Sequence, residues 1–325
     1  MRAALIREPG GPEALEICDV PVPVPGPGQA RIKVAYVGMN PVDAMVRRER
    51  LPWMPVEYPL IAGLEHTGVV DSVGEGVDPK RVGSRVISRS SFGGYAEYSL
   101  APADTLIPLD DRIDLKTGCA YRGASFTAWH ALNLSARLRE GDRVLVHSAA
   151  GAIGIMALQI ATEAGARPVG LAGGPDKVAF AEKLTACPAV DYLAEGWPSR
   201  AIETAEGQRF DIIIDGNGGP NAHHNRDLVA RLGRIVYVGA TAGDYPAPLS
   251  VPELIAGSFS VGGITLTDIE VETGGDVDRH IIDRVATGAW TVPVTEEMDL
   301  AEVGELHRRL EARQLMGRAV IRVGP

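Results

Sequence analysis

Residues Arg143-Val-Leu-Val-His-Ser-Ala-Ala-Gly-Ala-Ile-Gly154 decide how this chain folds. Val144 to Val146 make the short apolar run that a buried parallel strand needs. Small residues follow, with Ala149, Gly151 and Gly154 in the G/A-x-G-x-x-G spacing. Ile153, Met156, Ala157, Ile160 and Ala164 then recur at helical spacing, and Gly165 stands where a helix stops. Strand, tight turn and helix form the context in which this fingerprint binds a dinucleotide, a plain packing turn being the alternative. Gly151 lets backbone approach a pyrophosphate, and Gly154 lets the helix pack close to the strand. The helix N-terminus adds free N–H groups and the positive end of its dipole. The expected phosphate cradle is therefore Ala149, Ala150, Gly151, Ala152, Ile153 and Gly154.

Outward from this stretch, residues 143 to about 240 alternate strand and helix. Strands are expected at 144–146, 168–171, 190–192, 211–215 and 234–238, and helices near 152–164, 176–186, 199–205 and 221–231. Repeated βα units predict an α/β fold with a doubly wound parallel sheet. Residues 116–134 read as helical. The first third is β-rich, with strands at 3–6 and 30–36, a connection through Pro21, Pro23, Pro25 and Pro27, and a short helix carrying Arg47 and Arg48. Residues 50–59 read as a loop, and more strand follows across 63–74, 82–87 and 93–98. This Gly-rich pattern suggests a distorted β-barrel. The tail mixes a strand near 260–266, helices near 278–287 and 301–314, and a last strand at 318–323.

Size and composition narrow the function classes. A chain of 325 residues holds two domains, and 45% apolar content with 38 Gly and 23 Pro suits a turn-rich globular protein. The net charge of −10, without a long Lys/Arg block, argues against nucleic acid or an anionic membrane as partner. No run approaches the roughly 18 apolar residues of a membrane span, and the first residues lack a signal-peptide core. Cys18, Cys119 and Cys187 form no C-x-x-C, so neither a disulfide framework nor a structural zinc lobe is expected, and a cytoplasmic setting fits.

Six motifs in this order resemble those of the medium-chain dehydrogenase/reductase superfamily. They are Gly38-Met-Asn-Pro-Val-Asp43, Gly63-Leu-Glu-His-Thr-Gly68, Gly93-Gly-Tyr-Ala-Glu-Tyr98, Thr127-Ala-Trp-His-Ala-Leu132, His147-Ser-Ala-Ala-Gly-Ala-Ile-Gly154 and Leu232-Gly-Arg-Ile-Val-Tyr-Val-Gly239. The residues most resemble its zinc-independent quinone oxidoreductase (zeta-crystallin-like) branch. The resemblance implies a GroES-like β-barrel catalytic domain over 1–118, an NADP-binding Rossmann domain over 119–257, and a return segment, 258–325, that completes the catalytic domain. Zinc-dependent relatives carry ligands where this chain has Asn40, Leu64 and Gly123, none of which supplies the S or N donor that zinc takes. No metal is expected. Without a Lewis acid to polarise an alcohol, quinones, enones and enoyl thioesters become the expected acceptors.

The cofactor expected is NADPH. The end of the second strand of this domain carries no acid, Lys177 follows within reach of a 2′-phosphate, and Tyr192 matches a tyrosine that relatives place beside it. Gly173 or Gly174 stands where many relatives have Ser. By the same resemblance Thr127, Gly239, Gly263, Ile264 and Arg318 belong to the cofactor site, and Trp53, Met54, Tyr58 and Leu64 to the substrate mouth. Asn40 and Asp43 match the polar pair beside the reaction, Asn40 orienting the acceptor oxygen or a ribose hydroxyl. Arg122 departs from the apolar residue usual there, and either stabilises an oxyanion, binds an acidic substrate or pairs with a surface carboxylate. His66, His130, His147 and His280 read as packing, hydrogen-bonding or surface residues, His223 and His224 as solvent-facing, and 270–278 as a solvated loop. Three functions fit: an NADPH-dependent reductase of quinones or enones, an enoyl reductase or tailoring enzyme for a thioester or natural-product intermediate, and a cofactor-binding sensor with little turnover. A small-molecule electrophile and a second copy in a homodimer are the expected partners, the latter through edge strands near 258–266.

Overall fold

The structure is a computed structural model that describes residues 1–51, 54–89, 91–241 and 249–324, with the backbone alone over 266–275. The elements in chain order are β1 (Arg2–Ile6), β2 (Leu15–Asp19), β3 (Gln29–Gly38), α1 (Pro41–Arg47), β4 (Leu60–Ile61), β5 (Glu65–Val73), β6 (Arg85–Ser88), β7 (Tyr98–Pro102), β8 (Ile107–Pro108) and α2 (Leu115–His130), which runs on as a π-turn to Ser135. Next come β9 (Arg143–Val146), α3 (Ala152–Glu163), β10 (Arg167–Ala172), α4 (Pro175–Thr185), β11 (Ala189–Asp191), α5 (Trp197–Thr204), β12 (Phe210–Asp215), α6 (Asn225–Leu228), β13 (Val229–Tyr237), α7 (Val251–Gly257), β14 (Ser260–Gly263) and α8 (Leu266–Ala286). The chain closes with β15 (Val294–Asp299), α9 (Val303–Glu311) and β16 (Arg318–Arg322).

Two compact units emerge, residues 1–122 with 294–325, and residues 123–293. The first holds an antiparallel sheet β2-β1-β4 and a larger sheet β15-β16-β3-β5-β6-β8, with β7 also on β3. Ile6, Val34, Val37, Tyr95, Val303, Leu306 and Ile321 share one core of this unit, and Ile32, Val70 and Val86 another. Helix α9 joins the core because Val303, Leu306 and His307 repeat at the spacing of one helix face. The second unit is a six-stranded parallel sheet, β11-β10-β9-β12-β13-β14. Leu145, Leu171, Phe210, Ile213 and Ile235 pack there against Trp197 and Ala201 of α5. The chain goes from β9 outward to β10 on one side and returns to β12 on the other. The turn after β9 thus lies at the switch point, where open α/β sheets bind ligands.

Several sequence expectations shift. The return does not begin at 258: β14 pairs in parallel with β13, so this segment belongs to the second unit and the first resumes at Val294. The helix expected over 221–231 ends early: a 3-10 turn over Pro220–His224 leads into α6, and the chain turns to strand at Val229. Residues 270–278 are helical, within α8. The strand β15 is an addition to the expected elements, and it pairs in parallel with β16.

Candidate active site

In the first unit, the motif Gly38-Met-Asn-Pro-Val-Asp43 starts α1. Asn40 is the extended N-cap and Pro41 opens the helix, where its missing N–H costs nothing. Asp43, fully buried, spends both carboxylate oxygens on backbone: Oδ2 accepts from Asn40 N (2.9 Å), and Oδ1 from Gly63 N (3.2 Å) and Leu64 N (3.0 Å). This one side chain therefore staples the turn before α1 to the turn before β5. It thereby holds the backbone at Asn40, Gly63 and Leu64 in place. Burial raises its carboxyl to about 6 against the pull of those three donors.

The Asn40 amide is also committed. Its nitrogen donates to Gly38 O (3.1 Å) and Glu65 Oε2 (3.3 Å), and its oxygen accepts from Arg318 Nη1 (2.7 Å). Both N–H groups are used, which leaves only the second lone pair of Oδ1 for a ligand. Arg318, 4% exposed, forms an ion pair with the buried Glu65. Arg89 Nε stands 3.8 Å from the other Glu65 oxygen. A guanidinium thus neutralises the buried Glu65 carboxylate. Asn40, Leu64 and Gly123 cannot complete a zinc sphere, and among the described residues no three His, Cys, Asp or Glu are grouped to hold a metal. Arg122 is itself buried, at 3% exposed. Burial pushes the Cys119 thiol up, which removes it as a nucleophile. Tyr58 donates its hydroxyl to Val46 O (2.7 Å), Met54 is half-buried, and Trp53 lies outside the described residues.

The second unit holds the small-residue turn. Ser148 takes a left-handed conformation, Gly151 is the extended N-cap of α3, and its N–H bonds Ser148 O (2.8 Å). The first intrahelical bond is Ile155 N to Gly151 O (3.0 Å), so the N–H groups of Ala152, Ile153 and Gly154 have no intrahelical acceptor. They lie at the start of a three-turn helix at the switch point, the kind of helix end that binds phosphate. A Cβ on Gly154 would lie 2.3 Å from Ser148 O, so only glycine lets α3 start this close to β9.

At the end of β10, a Cβ on Gly173 would lie 2.6 Å from the Tyr192 hydroxyl. The glycine is explained: the tyrosine fills the space that a serine would need. Gly174 N donates to Asp191 Oδ1 (2.8 Å), and Leu193 N to the same oxygen (2.9 Å). Lys177 is half-buried in the first turn of α4. Gly239 and Gly263 follow and end strands β13 and β14, with Ile264 N bonded to Tyr237 O (3.1 Å). Thr127 donates to Gly123 O (2.6 Å), as a helical threonine does, and keeps its oxygen lone pairs.

A hydrogen-bonded network follows β12. Asp215 Oδ1 caps the next turn, accepting from Asn217 N (2.8 Å) and Gly218 N (2.9 Å). Its Oδ2 accepts from Asn225 Nδ2 (2.8 Å), and Asn225 Oδ1 is bonded to His147 Nε2 (2.8 Å). A carboxylate ending a strand was the signal available; its asparagine partner, ten residues on, had none.

Two buried histidines set an acid limit to stability. Burial holds His66 at about 4 and His307 at about 3, whereas each takes a proton near 6.5 when unfolded. The stability they contribute is complete above 6.5 and is lost as pH falls toward those values. Asp43 runs the other way, because its raised carboxyl gains a proton in the folded state between about 6 and 3.8. Two groups oppose one, so stability falls on balance as the pH is lowered through that interval. Urea midpoints measured from pH 6.5 downward should fall steadily; a level midpoint to pH 4 would contradict this balance.

Comparison with known proteins agrees with this geometry. The alcohol dehydrogenase GroES-like domain family matches residues 26–111, and the zinc-binding dehydrogenase family matches 152–278. The chain is 34% identical to quinone oxidoreductase of Mus musculus over 94% of its own length and 93% of the relative's. A mycobacterial protein solved in complex with NADPH is 30% identical and superposes with a TM-score of 0.91, over 99% of this chain and 100% of that one. A segment of a phenolphthiocerol/phthiocerol polyketide synthase of Mycobacterium tuberculosis is 27% identical, matching 98% of this chain and 14% of that protein. No described helix is long and apolar enough to cross a membrane. By its two matched domains and its full-length relatives, the chain belongs to the medium-chain dehydrogenase/reductase superfamily, in the quinone oxidoreductase branch.

Proposed function

We propose that this chain is an NADPH-dependent reductase of quinones or activated enones that works without a metal. The observation that carries the reading is the turn after β9, where three helix N–H groups and the close-packed Gly154 make a pyrophosphate cradle. Bound there, NADPH supplies the hydride. The chain's own residues bind and orient. Ala152, Ile153 and Gly154 donate to the pyrophosphate. Lys177 balances the charge of a 2′-phosphate, and Tyr192 provides the hydroxyl that serine gives in relatives. Of the two roles expected for Asn40, the geometry favours the ribose hydroxyl, since only its oxygen still has capacity. Asp43 keeps that oxygen in place, and Arg318 with Glu65 forms a buried, neutral ion pair beside it. An acceptor polarised by its own conjugation needs no Lewis acid.

A second reading, reduction of an enoyl thioester, is favoured by the similarity to the polyketide synthase segment. An acceptor panel separates the two: an ortho-quinone, a para-quinone, a simple enone and an enoyl thioester, each with NADPH and with NADH. The first reading expects quinone or enone turnover with NADPH preferred. Turnover of the thioester alone would replace it by the second. A preference for NADH would overturn the assignment of Lys177 and Tyr192.

We also propose a homodimer. The edge strand β14 has all four residues exposed, Val261 among them at 37%. An uncovered apolar edge of this kind is a pairing surface. Sedimentation at micromolar concentration should give twice the chain mass; a monomer would refute the pairing.

A further inference from the structure

Asp215, Asn225 and His147 are buried, the first two completely, and the proposed function uses none of them. His147 and Asp215 stand at the carboxyl ends of the neighbouring strands β9 and β12, and Asn225, at the start of α6, bridges them. The direction of each bond follows from the carboxylate. Asp215 Oδ1 accepts from Asn217 N (2.8 Å) and Gly218 N (2.9 Å), and Oδ2 accepts from the Asn225 amide nitrogen (2.8 Å). An amide that turns its nitrogen to one side presents its oxygen to the other. The Asn225 oxygen lies 2.8 Å from His147 Nε2, so Nε2 carries a proton and donates it. His147 Nδ1 stands 3.9 Å from Asp215 Oδ1, beyond hydrogen-bond reach.

Both ends of this relay meet the crevice. The His147 N–H donates to Ile214 O (2.9 Å) and its ring to Asn225, so main chain and side chain are both tied to the β12 side. The next residue, Ser148, is left-handed (φ 54°), a conformation that a non-glycine residue keeps where its neighbours impose it. Ala149 N, bonded to Leu171 O (2.9 Å), holds it from the other side. Ser148 O accepts from Gly151 N and is the atom against which Gly154 packs. The His147 ring thus helps to set where the first N–H groups of α3 stand. At the other end, Asp215 turns the chain at Asn217 and Gly218. The Asn217 oxygen accepts from the Thr241 hydroxyl (2.7 Å), which ties the segment after β13 to the one after β12. We infer that Asp215 is a positioning residue for the whole crevice: through Asn225 and His147 it sets the phosphate turn, and through Asn217 it sets the segments after β12 and β13. The functional part of this inference rests on NADPH binding at the turn after β9.

The polarity of the relay gives a signature that packing alone would not. In Asp215→Asn, the new side-chain oxygen must stay toward the two N–H groups of Asn217 and Gly218, so its nitrogen faces Asn225. Asn225 then turns its oxygen to that nitrogen and its own nitrogen to His147, whose Nε2 must accept. The histidine proton moves to Nδ1. Nitrogen NMR of the full-length protein labelled with 15N-histidine reads this directly, with the His147 signals identified by their loss in His147→Gln. The wild type should carry the proton on Nε2, and Asp215→Asn on Nδ1. NADPH titration is the second readout. His147→Leu and Asn225→Leu should each weaken binding about 10-fold, and the double variant also about 10-fold rather than about 100-fold, because both act through one path. His147→Gln, which keeps an N–H near the Nε2 position, should stay within about 3-fold of the wild type. Binding of 2′-AMP, which has no pyrophosphate, should not change in any of them. A wild-type proton on Nδ1, the same tautomer in wild type and Asp215→Asn, unchanged NADPH affinity in a folded His147→Leu protein, or an equal loss for 2′-AMP would overturn the inference. If the variants do not fold, the wild-type tautomer decides. If the wild type binds no NADPH, the proposed function fails, and the reversal of the tautomer still judges the relay.

Discussion

Gly154→Ala should weaken NADPH binding about 100-fold and destabilise the unliganded protein by about 1–3 kcal/mol, whereas Gly151→Ala should weaken binding alone. The two glycines are three residues apart and face different obstacles. A methyl on Gly154 would meet Ser148 O at 2.3 Å and Ala149 Cα at 2.8 Å. Both are backbone atoms, so the clash is relieved only if α3 moves off β9. That movement displaces the N–H groups of Ala152 and Ile153 from the pyrophosphate, and it opens a packed contact even with no cofactor present. A methyl on Gly151 meets only Ser148 O, at 3.2 Å, which a shift of a few tenths of an ångström relieves. Gly151 is needed for the ligand's approach rather than for the fold. Urea unfolding of the unliganded proteins and NADPH titration by nicotinamide fluorescence would measure both effects. Equal stability losses in the two variants would show that the turn is only a packing device.

Arg318→Met should cost about 3–5 kcal/mol, because it removes the ion pair of a carboxylate that is 1% exposed. Glu65 would keep Asn40 Nδ2 and the more distant Arg89, at 3.3 and 3.8 Å. Neither matches the ion pair it loses. The double variant Arg318→Met/Glu65→Leu should lie nearer the wild type than either single change, since replacing a buried pair by apolar groups is often close to neutral. Activity should not return with stability in the double variant, because Arg318 also holds the oxygen of Asn40. Single variants that each cost less than about 1 kcal/mol would mean that solvent reaches the pair.

What could be read from the sequence was local. The segment 143–165 carries strand, turn and helix stop within one window, and β9, the turn and α3 stand where its periodicity put them. Elements set by distant partners were not legible. The alternation Val294-Thr-Glu-Glu-Met-Asp299 is too charged to announce a strand, and it becomes one by pairing with β16. Gly274 and Gly275 argue locally against helix, yet α8 runs through them. At the site, Asn40 and Asp43 were found, but their chemistry was not. The Asn40 oxygen is taken by Arg318, 278 residues away, and the Asp43 carboxylate by the turn at Gly63 and Leu64. His307 gave no signal, because a histidine four residues after Val303 on an apolar face reads as packing. Its partner Arg47 comes from 260 residues earlier.

The central claim is hydride transfer from NADPH to an activated acceptor with no metal taking part. The most direct measurement is transfer of deuterium from NADPH labelled at the transferring position of the nicotinamide to an enone, with exhaustively chelated protein. The account predicts label on the β-carbon of the product, one deuteron for each NADPH consumed, at a rate that chelation does not change. An unlabelled product, or a rate lost on chelation and restored by zinc, would contradict it.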